Sequence, residues 1–314
     1  MGFKARIPTT GGIKSVCARD RILFVQTLSK LEPIERRQSK IKGQYNLDNI
    51  RPFAVVTGAS SGIGAAFAEA FAKKGVDILV IARRGDRLSA LAAKLQRTFK
   101  VSVHVLVADL TDSVDLGTVE NSLRSLERID FLVNCAGFGT YGSFAEIDPG
   151  RIKDELLLDL IAPVALTRAA LPLMLAQRGG TIINVSSMAG FLPIPHLTTY
   201  CTAKAGLTRF TEALYGELAG SGVRVYAHCP GPVPTEFFDI SGYKLEDVPK
   251  YMLQSVPDCV EASFRALQGP SVVGIPHWFI WLFVNSLKLI PLAIRLKILG
   301  HGPEWLNRKT SENV

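Results

Sequence analysis

The chain has 314 residues, 47% of them hydrophobic, with 36 Lys and Arg against 28 Asp and Glu for a formal net charge of +8. This length suits one large α/β domain with tails better than two equal domains, and no Pro/Gly/Ser linker divides the middle. Residues 1–51 hold eleven Lys and Arg against four Asp and Glu, so the rest is nearly neutral, which argues against a nucleic-acid-binding face on the folded core. The cysteines, Cys17, Cys135, Cys201, Cys229 and Cys259, are odd in number and widely spread, without the spacing of a zinc site or a disulfide framework. An intracellular, reducing compartment is therefore expected. The histidines form no ligand-spaced cluster, and no metal is expected.

Residues 1–51 contain no apolar core of signal-peptide length, so secretion is not expected. Ile22, Leu23, Val25, Leu28 and Leu31, with Lys and Arg around them, fit one amphipathic helix of a transit peptide or a membrane-surface contact. An extension without fixed structure fits equally.

At Pro52 the pattern changes. Phe53 to Val56 is an apolar run suited to a buried parallel strand, and it leads into Gly58, Gly62 and Gly64, which lack the Cβ atoms that would hold a dinucleotide away from the turn. Ala65 to Ala72 combines strong helix formers with a small-residue face, so a helix N-terminus would point at a pyrophosphate. An ordinary strand-to-helix turn without a ligand is the competing reading. Thr57-Gly58-Ala59-Ser60-Ser61-Gly62-Ile63-Gly64 resembles the cofactor fingerprint of the short-chain dehydrogenase/reductase family. The resemblance implies nicotinamide-cofactor contacts from Thr57, Gly58, Ser60, Ser61, Gly62, Ile63 and Gly64, and a homo-oligomer, dimer or tetramer.

Val76 to Ala82 reads as a second buried strand. Ala82 then occupies the place of the acidic residue that binds the ribose 2′-hydroxyl in an NAD enzyme, and a guanidinium at Arg83 would pair with a 2′-phosphate, so NADP(H) is the expected cofactor. Solvated arginines opening the next helix are the alternative. Val101 to Ala108 is the third strand, ending in Asp109-Leu110, which resemble the family's adenine-contacting pair. The fourth ends in Asn134-Cys135-Ala136-Gly137, which looks like the family's Asn-Asn-Ala-Gly signature with Cys135 at its second position; Asn134 would brace the sheet, with Ala136 and Gly137 on the cofactor side. Strands alternating with helices of 10 to 15 residues indicate a doubly wound parallel sheet, a Rossmann fold. Residues 151–178 have helical spacing despite Pro163 and Pro172, and the position where the family usually carries a catalytic asparagine is Asp159, which could still accept from a proton-relaying water but adds a charge.

Thr181 to Val185 delivers Ser186-Ser187, and thirteen residues after Ser187 come Tyr200 and Lys204, four apart and so on one helix face. Protonating the alkoxide left by hydride transfer needs a phenol whose anion is stabilised, a role for Lys204 beneath Tyr200, while Ser187 donates to the substrate oxygen. Lys204 would also bind the nicotinamide ribose. Val223 to Ala227 is the next strand, and Pro230, Gly231, Val233 and Thr235 after it inherit nicotinamide-fixing roles by resemblance. Phe237, Phe238, Ile240, Tyr243, Tyr251, Met252 and Leu253 occupy the family's variable substrate lid, about 236–255, and imply an apolar carbonyl or alcohol substrate of fatty-acyl, sterol or other lipid type. Gly269 to Leu287 carries no Lys, Arg, Asp or Glu, and beyond it Lys288, Arg295 and Lys297 alternate with apolar residues. That segment reads as an interfacial amphipathic helix with aromatic anchors, or as an apolar flap or dimer contact, rather than a span. The expected organisation is a basic extension (1–51), a catalytic domain (52–268) and an apolar C-terminal segment (269–314). The expected activity is NADP(H)-dependent carbonyl/alcohol interconversion, in the cytoplasm or peripheral to a membrane; a non-catalytic NADP-binding regulator or scaffold on the same fold is the alternative.

Overall fold

The computed structural model describes residues 51–300, so the amphipathic segment around Ile22 to Leu31 lies outside the described residues. Seven strands, β1 (Phe53–Thr57), β2 (Asp77–Ala82), β3 (Val103–Val107), β4 (Phe131–Asn134), β5 (Gly180–Val185), β6 (Val223–His228) and β7 (Val273–Gly274), form one sheet. Its order is β3-β2-β1-β4-β5-β6-β7 and every pairing is parallel. The chain steps outward from β1 to β3 and then returns to β4 beside β1. The reversal opens a crevice at the carboxyl ends of these two strands, where such sheets bind ligands.

Apolar runs in β1 and β2 are buried because helices cover both faces. Helices α1 (Gly62–Lys73), α2 (Gly85–Phe99) and α8 (Val256–Ala266) cover one side, burying Phe67, Phe71, Leu88, Leu95 and Val260. On the other side α3 (Ser113–Ser125), α5 (Ala162–Gln177) and α6 (Thr198–Glu217) bury Val119, Leu123, Leu166, Ala170 and Leu214. Strand β3 is an edge, and Val107 on it is 55% exposed.

The helical segment expected over 151–178 is continuous from Pro149 to Gln177: α4 (Pro149–Leu156), one π-helical turn (Leu157–Ile161) and α5. Its 29 residues are long and apolar enough to cross a bilayer, yet Leu166, Ala169, Ala170 and Met174 are buried in the core. The π turn has an identifiable cause. Pro163 has no N–H to offer the carbonyl of Asp159, and its ring would collide with that carbonyl in a regular helix. The ladder widens instead, with the Ala162 N–H bonding to the Leu157 carbonyl.

Strand β7, unread in the sequence, starts inside the segment assigned to the tail and pairs with β6 through Ala227 and Val273. Only glycine fits at its end: a Cβ at Gly274 would stand 2.1 Å from the Tyr226 hydroxyl. Two helices follow, α9 (Trp278–Lys288) and α10 (Leu292–Gly300), after the lid helix α7 (Phe237–Ser241) in chain order. Each is far shorter than the roughly 20 residues a span needs. Helix α9 has two apolar faces: Ile280, Val284 and Leu287 pack on Met188 and Leu192, while Trp278 and Trp281 are 72% and 55% exposed.

Candidate active site

The crevice is a cleft of about 450 Å³ that runs from the glycine turn to the apolar lid. Gly58 and Gly62 adopt left-handed φ values of 68° and 53°. A Cβ at Gly58 would lie 2.8 Å from the Ala136 backbone, and one at Gly64 would lie 2.3 Å from the Gly58 carbonyl, so both positions exclude any larger residue. Gly58, Ser60, Ser61, Gly62, Ile63, Gly64, Asp109, Leu110, Ala136, Gly137, Pro230, Gly231, Val233 and Thr235 all line the cleft.

Thr57 and Asn134 do not line it. Thr57 is buried, accepts from the amides of Cys135 and Ala136 and donates to Val133, tying β1 to β4. Asn134 donates to Asn184 at 2.8 Å and to Thr167 at 3.2 Å, which suits the bracing role and removes it from the cofactor contacts.

The arginine pair divides differently from expectation. Arg83 lines the cleft, but its side chain is 63% exposed and pairs with Asp109 at 3.4 Å. Arg84, given no cofactor role from the sequence, turns into the cleft and donates to Ser60 at 2.9 Å and Ser61 at 2.8 Å. It also meets Glu236 at 2.6 Å, and Arg87 grips the other oxygen of that carboxylate. These hydrogen bonds hold the Glu236 carboxyl far below its ordinary value, at about 2.

Strand β5 ends at Val185 and delivers Ser187, while Tyr200 and Lys204 stand one turn apart on α6. Lys204 is buried, donates to the Val185 carbonyl at 3.1 Å, and lies 5.6 Å from the Tyr200 ring centre. Burial pushes the Tyr200 phenol up to about 12, while Lys204 and a hydrogen bond with Ser187 pull the other way. Asp159 is brought onto this group by the π turn. Its Oδ2 stands 3.3 Å from Lys204 Nζ, and its Oδ1 accepts from the Phe138 amide at 3.0 Å. The expected water-accepting carboxylate is thus in direct contact with the lysine. Lys204 is raised above its ordinary value, because Asp159 and Tyr200 outweigh the burial that opposes its charge.

Sequence reading also missed Glu155, which is fully buried one turn before Asp159. Burial raises Glu155 to about 7 and Asp159 to about 6. Carboxyls raised in the folded state stabilise it fully only below their unfolded values, and the contribution is lost as pH rises through the folded ones. The two acids therefore take stability away between about pH 4.5 and 7, while His228, held down to about 4 by burial, adds stability up to about pH 6.5. The urea midpoint of Glu155→Gln is accordingly expected to rise relative to that of the unmodified protein across this range, and parallel profiles would show that Glu155 is not raised.

Ile194, Leu197, Phe237, Phe238, Val248 and Met252 complete an apolar end, with the Phe237 ring 5.2 Å from that of Tyr200. A nicotinamide dinucleotide fits these residues: the glycine turn leaves room for a pyrophosphate, Arg84 and Ser60 offer donors to an anion, and Tyr200 and Lys204 close the far end. Among the described residues no group of three His, Cys, Asp or Glu side chains could hold a metal. The cysteines there are free, and burial raises each thiol, so none is a reactive thiolate.

A family model described as short chain dehydrogenase matches residues 52–242. An uncharacterized oxidoreductase of Staphylococcus saprophyticus is 35% identical over 225 residues, 71% of this chain and 93% of that one. The very-long-chain 3-oxoacyl-CoA reductase of Homo sapiens is 29% identical over 257 residues, covering 78% and 82%. Among solved structures, a short-chain dehydrogenase from Sphingobium yanoikuyae in complex with NADPH superposes with a TM-score of 0.71 at 33% identity, covering 80% of this chain and 96% of that one.

Proposed function

The chain belongs to the short-chain dehydrogenase family, an oxidoreductase family acting on alcohol and ketone groups, and from that premise we propose that it is an NADP(H)-dependent reductase of large apolar carbonyl compounds. One observation carries the reading: Ser187, Tyr200 and Lys204 all line the cleft that also contains the glycine turn. The nicotinamide, when bound, supplies or accepts the hydride. Tyr200 gives its phenolic proton to the substrate oxygen, Ser187 donates to the same oxygen as charge develops, and the Lys204 ammonium steadies the phenolate left behind. The apolar substrate is supported by the lid residues Phe237, Phe238, Val248 and Met252 and by the likeness to a very-long-chain 3-oxoacyl-CoA reductase.

The competing reading, a cofactor-binding protein without turnover, draws on one feature: the carboxylate of Asp159 against Lys204. A panel of aliphatic, aromatic and steroidal ketones assayed with NADPH separates the two. Turnover of any member supports the enzyme, whereas tight cofactor binding with no reduction across the panel supports the regulator.

For cofactor choice, NADPH is expected to bind more tightly than NADH, with Arg84 contributing most. Charge-assisted hydrogen bonds of about 1.5–3 kcal/mol predict that Arg84→Ala weakens NADPH by roughly 10- to 100-fold and leaves NADH nearly unchanged. Arg83→Ala should cost less, because solvent screens its exposed charge. Fluorescence titration with both cofactors checks this; equal affinities in the unmodified protein would remove both arginines from the assignment.

A further inference from the structure

Glu155 is a buried acid that the family resemblance does not mention. It has no accessible surface, and neither carboxylate oxygen has a partner at good hydrogen-bonding geometry, the Thr140 hydroxyl being its polar neighbour. It stands one turn before Asp159 on the helix that packs against α6. The charged and titratable groups facing it are Arg151 and Asp159 from its own helical segment and Lys204 and Cys201 from α6. Arg151 does not neutralise it, since its N–H groups go to Thr140 and to the carbonyls of Gly139 and Ile240, and its guanidinium lies over Phe138. The Cys201 thiol, raised by burial, stays neutral. Asp159 is paired with the lysine beneath Tyr200, and Glu155 is a second carboxyl buried one turn away on the same helical segment.

We propose that Glu155 is a positioning residue that, acting with Asp159 on Lys204, keeps Tyr200 protonated into the alkaline range and so favours carbonyl reduction over alcohol oxidation. This rests on the reading of Tyr200 as the acid of the reaction. Reduction moves a hydride to the carbonyl carbon and the Tyr200 proton to the oxygen, leaving a phenolate; oxidation starts from that phenolate and returns both. A lone lysine favours the phenolate, whereas a carboxylate paired with that lysine, with a second buried one turn away, opposes that influence. The raised values of Glu155 and Asp159 agree with crowding of acids at this point, and the titration belongs to the cluster as a whole. The carboxylate in the place of the family's asparagine thus has a consistent use, as one of a pair that biases direction.

The test reads the ionisation of Tyr200 directly. Ultraviolet difference titration of the unliganded full chain, with Tyr200→Phe as the blank, isolates the tyrosinate step of this residue. In Glu155→Gln the step is expected to move down by about one pH unit, a tenfold gain in phenolate at a given pH. The alkaline rise of oxidation kcat should shift with it, while substrate KM stays unchanged. Glu155→Asp should restore most of the original position. Should Glu155→Gln fail to fold, Asp159→Asn tests the same cancellation, because it too removes one carboxylate from Lys204 and is expected to shift the step in the same direction. A tyrosinate step that stays in place in every folded variant overturns the proposal, even if turnover falls. Retained turnover in Tyr200→Phe would instead refute the enzymatic reading, while the spectroscopic shift would still report the electrostatic coupling.

Discussion

Tyr200→Phe is expected to lower carbonyl reduction by roughly 10²- to 10⁴-fold, the range that a positioned proton donor contributes, while NADPH affinity stays within a few-fold. The substitution removes one oxygen and leaves the packing, in which the Tyr200 ring meets Phe237 at 5.2 Å. Its two neighbours in the catalytic group do not replace it. Ser187 accepts from the Ala189 amide at 3.1 Å, and its hydroxyl is far too weak an acid to protonate an alkoxide by itself. Lys204 keeps its partners, Val185 and Asp159, without the phenol. Stopped-flow reduction of any ketone accepted by the unmodified protein, together with a fluorescence titration of NADPH, separates loss of chemistry from loss of binding. Full turnover in this variant would remove Tyr200 from its role.

Removing both exposed tryptophans of α9 is expected to weaken attachment to anionic vesicles by about 10²- to 10⁴-fold, since each large side chain fully buried in an interface contributes roughly 1.5–3 kcal/mol. Trp278 and Trp281 are 72% and 55% exposed, and Leu289, Leu292, Ile294 and Ile298 extend the apolar surface across α10. No Asp or Glu occurs from 269 to 300, whereas Lys288, Arg295 and Lys297 do, which suits an anionic lipid headgroup region. We propose a lipid surface as the occupant of this face. Flotation of the full chain with phosphatidylserine vesicles, compared with Trp278→Ala/Trp281→Ala, tests it. A full chain that stays with the soluble fraction would refute lipid attachment, and a change of oligomeric state in the double variant would assign the face to a second copy. Truncation at Gly274 is unsuitable, because it would strip Ile280, Val284 and Leu287 from Met188 and Leu192.

What the amino-acid order determined by itself is local. The strand, glycine turn and helix at Phe53 to Lys73 are legible because a left-handed turn and a close backbone approach admit no Cβ, and the sequence meets both demands within a few residues. Tyr200 and Lys204 are legible for the same reason: a helical period of 3.6 brings positions four apart onto one face wherever the helix packs. Even the π turn has a local signature in Pro163, four residues after Asp159. What only the tertiary structure decided is which of two neighbouring groups faces the cleft, and what lies across from it. Arg83 and Arg84 are equivalent in sequence, and the exit of β2 into α2 sends Arg84 to Ser60 and Ser61 and Arg83 to Asp109, with most of the Arg83 side chain exposed. Glu155 reads as an ordinary helix-surface acid until the packing of its helix on α6 buries it. Strand β7 is two residues long, too short for any periodicity, and exists because β6 offers an open edge and Gly274 clears Tyr226. In α9 composition shows only an apolar helix, and its division into a packed face and an exposed face comes from the loop carrying Met188 and Leu192, far away in the chain. Periodicity and turn chemistry act within a few residues, whereas burial and charge pairing depend on surfaces that meet only when the sheet is assembled.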